Sequence, residues 1–379
     1  MFEGKKIGMI GSGSWATAIT KMIYNKVDTF HWYIREQEII DSLSKYQRNT
    51  KYLSDVRFET EKLSISKDIN AVLSACDILI FCIPSKFMKD VVSSIAVDCS
   101  KKYIVSAIKG IVADENRLLS EYLSSKLNVP FSNVAVISGP CHAEEVALER
   151  LSYLTIGSKN QLLSDFVSEM VRCHYIKTSV SEDVFGIEYG AVMKNVMALA
   201  TGIAHGLGYG DNFTSVLISN AIQEMEAFLA VTDPHDRDVN KSVYLGDLLV
   251  TAYSQFSRNR TFGNMIGKGY SVKAAELEMN MIAEGYYSVR CIKDQTIGVE
   301  NIQKDQIYFN ISPNPVKNIL RIEFDKTIEH IEILSISGVR LQNINPLQKN
   351  IDVSSLPSGL YILQIISEEG IFQKKFIKK

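Results

Sequence analysis

No apolar run in this 379-residue chain reaches the length of about 18 residues at which a stretch reads as a membrane-spanning helix. The start, MFEGKKIGMI, lacks the long apolar stretch and small-residue cleavage site of a secretory leader. Charge imbalance is missing too: 41 Lys and Arg stand against 43 Asp and Glu, a net of -2. That excludes a polyanion binder driven by bulk charge, and no nucleic-acid partner is expected. A local basic pocket for one phosphate stays open. The six cysteines (76, 82, 99, 141, 173 and 291) form no C-x-x-C pair and no metal-ligand spacing. No metal is expected, and the cysteines read as reduced thiols of a cytoplasmic protein. Cys76 and Cys82 bracket an apolar run and read as core thiols.

The chain is 46% hydrophobic and 22% charged, the balance of a folded protein. At roughly 150 residues per domain, two or three domains are expected. Over residues 1–182, short apolar runs alternate with amphipathic stretches. KIGMI, TFHWYI, DILIFCI, YIVSAI, VAVIS and SYLTI read as strands; residues 14–26, 36–45, 68–76, 86–95, 115–126 and 160–171 read as helices. This alternation predicts an α/β domain, a mainly parallel sheet with helices on both faces. Over residues 183–298 the strand signals stop, and long segments such as GIEYGAVMKNVMALATGIAHGL carry helical periodicity. An all-helical second domain is expected there. Residues 307–379 contain no Ala, Cys, Met or Trp, yet hold 15 isoleucines. Their short alternating runs, NILRIEF, IEHIEILSI, LYILQII and IFQKKFI, predict a small β-sandwich.

Candidate chemistry begins at Gly11-Ser12-Gly13-Ser14-Trp15-Ala16, which follows strand KIGMI and opens a helix. This is the G-x-G-x-x-G/A pattern of dinucleotide binding in its strand–turn–helix setting. Gly11 permits the tight turn, Gly13 lets backbone approach a pyrophosphate, and Ala16 lets the helix pack on the strand. An acid that binds ribose is expected about 20 residues on. The second strand carries none; it ends in Arg35, which suits a 2′-phosphate, followed by Glu36. Both NAD and NADP therefore stay open. Lys109 follows a buried strand, at the sheet edge where ligands of doubly wound folds bind. Lys194 lies in an otherwise apolar or small-residue helix, so it must be paired or face a cavity. Asp247 follows a glycine at a helix start, and Ser257-Arg258-Asn259-Arg260 is a cluster of anion-gripping donors.

Read in order, GSGSWATA, SAIKGI, VISGPCHAEEV, GIEYGAVMKNVMALATGI, GLGYGDN, GDLLVT and SRNRTFG have the spacing of the NAD(P)-dependent glycerol-3-phosphate dehydrogenases. The chain resembles that family over about residues 5–296. The resemblance implies a Rossmann domain joined to a helical substrate domain. It also implies interconversion of dihydroxyacetone phosphate and sn-glycerol 3-phosphate for phospholipid synthesis, and leaves a homodimer open. By the same resemblance Gly11, Gly13, Ser14, Trp15, Arg35, Lys109, Ala143, Arg258, Ile282 and Glu284 contact the dinucleotide. Lys109, Gly139, Cys141, Lys194, Asp247, Ser257, Arg258 and Asn259 surround the substrate, with Lys194 as proton acceptor. Burial and like charge would lower the Lys194 pKa, and Asp247 would orient the amine.

There are departures. Cys141 stands where the family has Ser or Thr, and VTDPHDRDVNKSVYLGDL replaces a glycine-rich approach to Asp247. The resemblance ends near Thr296, before the helices that close the family's second domain, so a truncated helical domain with uncovered apolar surface is expected. Residues 307–379, with SPNPVKNILRIEF, ILSISGVRL and IDVSSLPSGLYILQI, resemble instead the C-terminal sorting domain of the type IX secretion system. The enzyme part implies the cytoplasm and the tail implies the cell surface. The competing functional class is a noncatalytic exported or binding protein that keeps the dehydrogenase scaffold.

Overall fold

The computed structural model describes all residues except 1, 3, 113, 114, 280, 281, 290, 291, 293–308, 325, 336–339, 347, 368 and 369. It divides into two compact units, Met1–Val299 and Glu300–Lys379.

The first unit is built on an eight-stranded sheet. Its strands are β1 (Ile7–Ile10), β2 (Phe30–Tyr33), β3 (Leu63–Ser66), β4 (Ile78–Phe81), β5 (Tyr103–Ser106), β6 (Val134–Ser138), β7 (Ser152–Ser158) and β8 (Ile176–Ser181). They lie in the order 8-7-6-5-4-1-2-3. Every pairing is parallel except β6 with β7. The central strands are continuous apolar runs because helices cover both faces. Those helices are α1 (Ser14–Ile23), α2 (Gln37–Tyr46), α3 (Ile69–Ala75), α4 (Met88–Ser93), α5 (Leu119–Lys126), α6 (Ala143–Ala147) and α7 (Gln161–Val171). One apolar cluster centres on Met9, Ile19, Trp32 and Ile80; the other, on the opposite face, centres on Ile10, Leu79, Phe81 and Leu123. Strand order reverses between β1 and β4, so a crevice opens at their carboxyl ends.

The sheet is larger than the sequence suggests. β3 and β8 are edge strands whose serine- and threonine-rich runs, LSIS and IKTSVS, are only partly buried and carry weak apolar alternation. The stretch expected to be helical over 115–126 starts instead with a short strand, Arg117–Leu118, and α5 follows. Cys76 and Cys82 are buried, as expected. Burial pushes both thiols up to about 12, so neither is a reactive thiolate. Cys291 lies outside the described residues.

From Asp183 to Glu278 the first unit is helical: α8 (Val184–Gly206), α9 (Asp211–Thr232), a π-turn over Ser242–Gly246, α10 (Asp247–Tyr253), α11 (Arg258–Gly267) and α12 (Val272–Glu278). α8 starts because the Asp183 carboxylate accepts from the Gly186 N–H at 2.9 Å. α8 and α11 touch backbone to backbone. A Cβ added at Gly202 would lie 2.1 Å from the Arg260 carbonyl, and one at Gly263 would lie 2.1 Å from that of Leu199. This close approach brings the start of α11 beside the middle of α8. Gly263→Val should destabilise the protein near the top of the roughly 1–3 kcal/mol range for overpacking. An unchanged urea midpoint would show that the helices can separate freely.

Large apolar side chains stand exposed on this helical part, among them Leu207, Phe213, Val216, Val231 and Leu277.

The second unit is a β-sandwich. Strands β9 (Phe309–Ser312), β10 (Ile319–Phe324), β11 (His330–Ser335), β12 (Arg340–Ile344), β13 (Asn350–Asp352), β14 (Gly359–Ser367) and β15 (Gly370–Lys378) form two antiparallel sheets, 9-10-13 and 12-11-14-15. Leu320, Ile322 and Ile351 of one sheet share a core with Ile331, Ile333, Leu363, Ile365 and Phe376 of the other. The isoleucine-rich alternation thus supplies an inner face to each sheet.

Candidate active site

A cavity of about 310 Å³ opens at the switch point between β1 and β4. Its floor is the turn Gly11–Ala16. Gly11 has φ +126, and a Cβ there would meet the Cys82 carbonyl at 2.2 Å, so this position requires glycine. A Cβ at Gly13 would meet nothing within 4 Å: backbone faces open space. Gly13 caps α1 without a side-chain bond, and the first turn of α1 holds no acid. Its N–H groups therefore face the cavity as an anion cradle. The indole N–H of Trp15 is buried without a partner among the described residues, and Trp15 lines the cavity. Such an unused donor beside an open glycine turn fits a bound dinucleotide.

At the end of β2, the Glu36 carboxylate accepts from the Ser12 hydroxyl at 2.7 Å and from Arg35 Nη2 at 3.3 Å. The Arg35 side chain is 68% exposed and its guanidinium lies 5.7 Å from the Phe87 ring centroid. An acid bound to the glycine turn and an unburied guanidinium thus stand together where a ribose would lie.

The opposite wall carries the charged core of the site. Lys109 follows β5, Lys194 projects from α8, and Asp247 opens α10. Asp247 Oδ2 accepts from Lys109 Nζ at 2.9 Å, and Oδ1 accepts from Lys194 Nζ at 3.1 Å. Lys109 also donates to the Gly139 carbonyl at 2.7 Å, and Lys194 donates to Thr251 Oγ1 at 2.8 Å. Asp247 and Lys194 are buried. Burial alone would push the Asp247 carboxyl up; the two lysines outweigh it and hold it below the usual carboxylate range. For Lys194, burial is the largest influence. Asp247 opposes it, the Lys109 charge reinforces it, and the pKa falls to about 8. For Lys109, burial is outweighed by Asp247 and the pKa rises. One carboxylate thus serves two lysines held in different protonation ranges.

Gly139 has φ +131 and turns the chain after β6, so that its carbonyl receives Lys109 and, at 3.4 Å, the Cys141 thiol. Ala143 opens α6 and lines the cavity. Ser257 caps α11 by accepting from the Arg260 N–H, while Arg258 and Asn259 line the cavity. Asn259 Oδ1 is occupied by the Gly285 N–H at 2.8 Å. The Glu284 carboxylate accepts from the Ser85 N–H at 2.9 Å and from the Ser85 hydroxyl at 2.5 Å. Ile282 and Glu284 both reach the cavity wall.

Of the residues read from the sequence, all line this cavity except Gly139 and Asp247, which lie directly behind it as partners of Lys109, and Arg260, which is not part of its lining. Several polar cavity residues were given no role from the sequence, among them Thr251, Asn195, His142 and Ser12. Thr251 lies one helical turn after Asp247, a spacing that could have flagged it. Asn195 adjoins Lys194 and donates to the Lys109 carbonyl at 2.7 Å. His142, beside Cys141, is pulled down to about 4 by burial and by Lys194 and Lys109, and stays neutral. Ser12 lies inside the glycine turn. Among the described residues there is no cluster of metal ligands, and no helix is long and apolar enough to cross a membrane.

A doubly wound sheet with an open glycine turn, facing a buried lysine on a helical second part, defines a nicotinamide-dependent dehydrogenase of the Rossmann class. Residues 6–164 match the model of the NAD-dependent glycerol-3-phosphate dehydrogenase N-terminus, and residues 183–313 match that of its C-terminus. The chain belongs to the glycerol-3-phosphate dehydrogenase family. It is 32% identical over 288 residues to the glycerol-3-phosphate dehydrogenase [NAD(P)+] of Prosthecochloris aestuarii, covering 76% of this chain and 86% of that one. It is 31% identical over 283 residues to that of Bacillus subtilis, covering 74% and 82%. Among solved structures, the Coxiella burnetii glycerol-3-phosphate dehydrogenase matches with TM-score 0.69 and 29% identity, over 78% of this chain and 89% of that one. Residues 310–379 match the secretion system C-terminal sorting domain. The C-terminal dehydrogenase match therefore extends past Thr296, where the sequence reading ended it, and overlaps the first residues of the sorting-domain match.

Proposed function

We propose that this chain interconverts dihydroxyacetone phosphate and sn-glycerol 3-phosphate, a phospholipid precursor, with NAD or NADP. The observation that carries this reading is the Lys109–Asp247–Lys194 set facing the dinucleotide turn across one cavity. A nicotinamide held there would supply the hydride acceptor for C2 of the alcohol and the hydride donor for the ketone. Gly11, Gly13, Ser14 and Trp15 hold the dinucleotide, with Ala143, Ile282 and Glu284 along its wall. Lys194 Nζ, as a free amine, takes the proton of the C2 hydroxyl; as an ammonium it returns that proton to the ketone oxygen. A pKa near the working pH lets it act both ways. Asp247 and Thr251 fix the amine's position, and Lys109 supplies a fixed positive charge near the developing alkoxide. Arg258, with Ser257 and Asn259, receives the substrate phosphate. Gly139 and Cys141 complete the substrate wall.

The test is oxidation of NADH and NADPH by the purified chain with dihydroxyacetone phosphate, the product being identified as sn-glycerol 3-phosphate. A chain that binds the dinucleotide but reduces no phosphorylated ketone would instead be a noncatalytic protein on the same scaffold. Both cofactors should serve. Arg35→Ala should weaken NADPH about tenfold, the worth of one charge-assisted hydrogen bond, and NADH much less. Equal losses in the two KM values would remove the 2′-phosphate contact.

The cytoplasm is the proposed compartment: the activity needs a nicotinamide pool, and every described cysteine is a free thiol. Fractionation of cells producing the full chain tests this against the surface location that the sandwich implies. A homodimer is also proposed, since exposed Phe213, Val216 and Val231 leave apolar surface for a second copy. Light scattering of the purified chain would show a monomer if this is wrong.

A further inference from the structure

The segment that departs from the family's glycine-rich approach to Asp247 is tied down by charge. Arg237 Nε donates to Asp183 Oδ2 at 2.7 Å and Nη2 donates to Oδ1 at 2.8 Å, a two-pronged fork. The same guanidinium donates to the Asp233 carbonyl at 3.0 Å and to the Asp233 carboxylate at 2.8 Å. It thereby closes the end of α9 onto the cap of α8. The Tyr244 hydroxyl donates to Asp183 Oδ2, the oxygen that also accepts from Arg237 Nε. The side chains of Arg237 and Asp183 are 5% and 8% exposed, and Tyr244 is equally buried. Asp183 is the residue that caps α8 through the Gly186 N–H.

Tyr244 lies along α8 rather than only at its end. A Cβ on Gly190 would meet Tyr244 Cδ1 at 2.9 Å, so the ring rests against the helix where Gly190 leaves room. Gly190 is one helical turn before Lys194, and Tyr244 is three residues before Asp247. The tyrosine therefore touches α8 at two places, its cap and its second turn, just before the chain enters α10. The cap itself stands 11 residues from Lys194, about 16 Å along the helix, too far to act on the amine directly.

We infer that Arg237 and Tyr244 are positioning residues, a latch on Asp183 that sets the register of the Ser242–Gly246 turn along α8 and so holds Asp247 against Lys194. This rests on the proposed dehydrogenase reading for its effect on rate, but not for its effect on Lys194. The charged and titratable groups facing Lys194 are Asp247 of α10, Lys109 after β5, and Cys141 and His142 before α6. Only Asp247 is carried by the latched segment. When the latch is released, Asp247 retreats, Lys194 loses its carboxylate, and burial and Lys109 pull its pKa down further.

The experiment compares the full chain with Tyr244→Phe, which keeps the ring and removes the hydroxyl, with Arg237→Met, and with Gly190→Ala, which displaces the ring from the other side. Two quantities are read: kcat for glycerol 3-phosphate oxidation across pH, and the pH at which Lys194 becomes half-reactive toward acetic anhydride, scored by peptide mass. The expected result is a kcat loss of roughly ten- to a hundredfold, the effect of misplacing a catalytic group by about an ångström. Both midpoints should shift to lower pH, while the Kd for the dinucleotide stays near normal. A latch that only stabilises would lower the melting temperature of Tyr244→Phe and Gly190→Ala and leave both midpoints in place; that result overturns the inference. If Arg237→Met does not fold, the other two variants still decide. A wild-type chain without activity would refute the dehydrogenase reading alone, because the labelling midpoint of Lys194 still reports on the latch.

Discussion

Lys194→Met should lower kcat by roughly 10²–10⁴-fold, the usual contribution of a positioned acid–base group. Methionine keeps most of the apolar stem of a buried side chain on α8, so the fold should survive. Dinucleotide affinity should change little, because the glycine turn and β2 lie on the opposite wall of the cavity. The loss should therefore appear in kcat. Arg258→Ala would behave differently, with KM rising more than kcat falls, because it removes phosphate binding. Near-normal turnover in the lysine variant would sink the assignment of the base.

Asp247→Asn should damage both activity and stability. The carboxylate is the shared acceptor of two lysines, one buried and one partly buried. Removing its charge leaves two ammonium groups in a poorly solvated site. Breaking a buried ion pair from one side costs about 3–5 kcal/mol, and here two pairs share the anion. Lys194 can escape by losing its proton, since its pKa is already near 8; Lys109, whose pKa Asp247 holds up against burial, loses that support at the same time. The variant should unfold at a clearly lower urea concentration. It should also lose ketone reduction more than alcohol oxidation, because only reduction needs the Lys194 ammonium. An unaltered urea midpoint would mean that water already solvates the lysines.

Much of this site is written locally in the chain. The glycine turn is legible because a strand, two glycines and a small residue are contiguous and each has a steric role. Lys109 and Lys194 are legible because a charge inside or next to an apolar element must have a partner. Their shared partner is less so: nothing near Asp247 says that it lies between two lysines 53 and 138 positions away. The Glu284–Ser85 contact spans 199 positions and the Arg237–Asp183 fork spans 54. Such contacts follow from how helices pack, and single-residue types carry no trace of them. The edge strands β3 and β8 escaped for a simpler reason. Neither face of either strand is deeply buried, so no apolar alternation marks them. Conversely, β10, β11, β14 and β15 of the sandwich were readable because each has an inner face packed on a single core, whereas the shorter β9, β12 and β13 were not read.

The central claim is that one amine, poised near pH 8, carries the proton in both directions. The most direct measurement is kcat of the wild-type chain in each direction, from about pH 6 to pH 10, with saturating cofactor and substrate. Glycerol 3-phosphate oxidation needs the free amine, so its rate should rise through a midpoint near 8. Dihydroxyacetone phosphate reduction needs the ammonium, so its rate should fall through the same midpoint. Two profiles that move in the same direction, or that show no inflection near 8, would contradict Lys194 as the proton carrier.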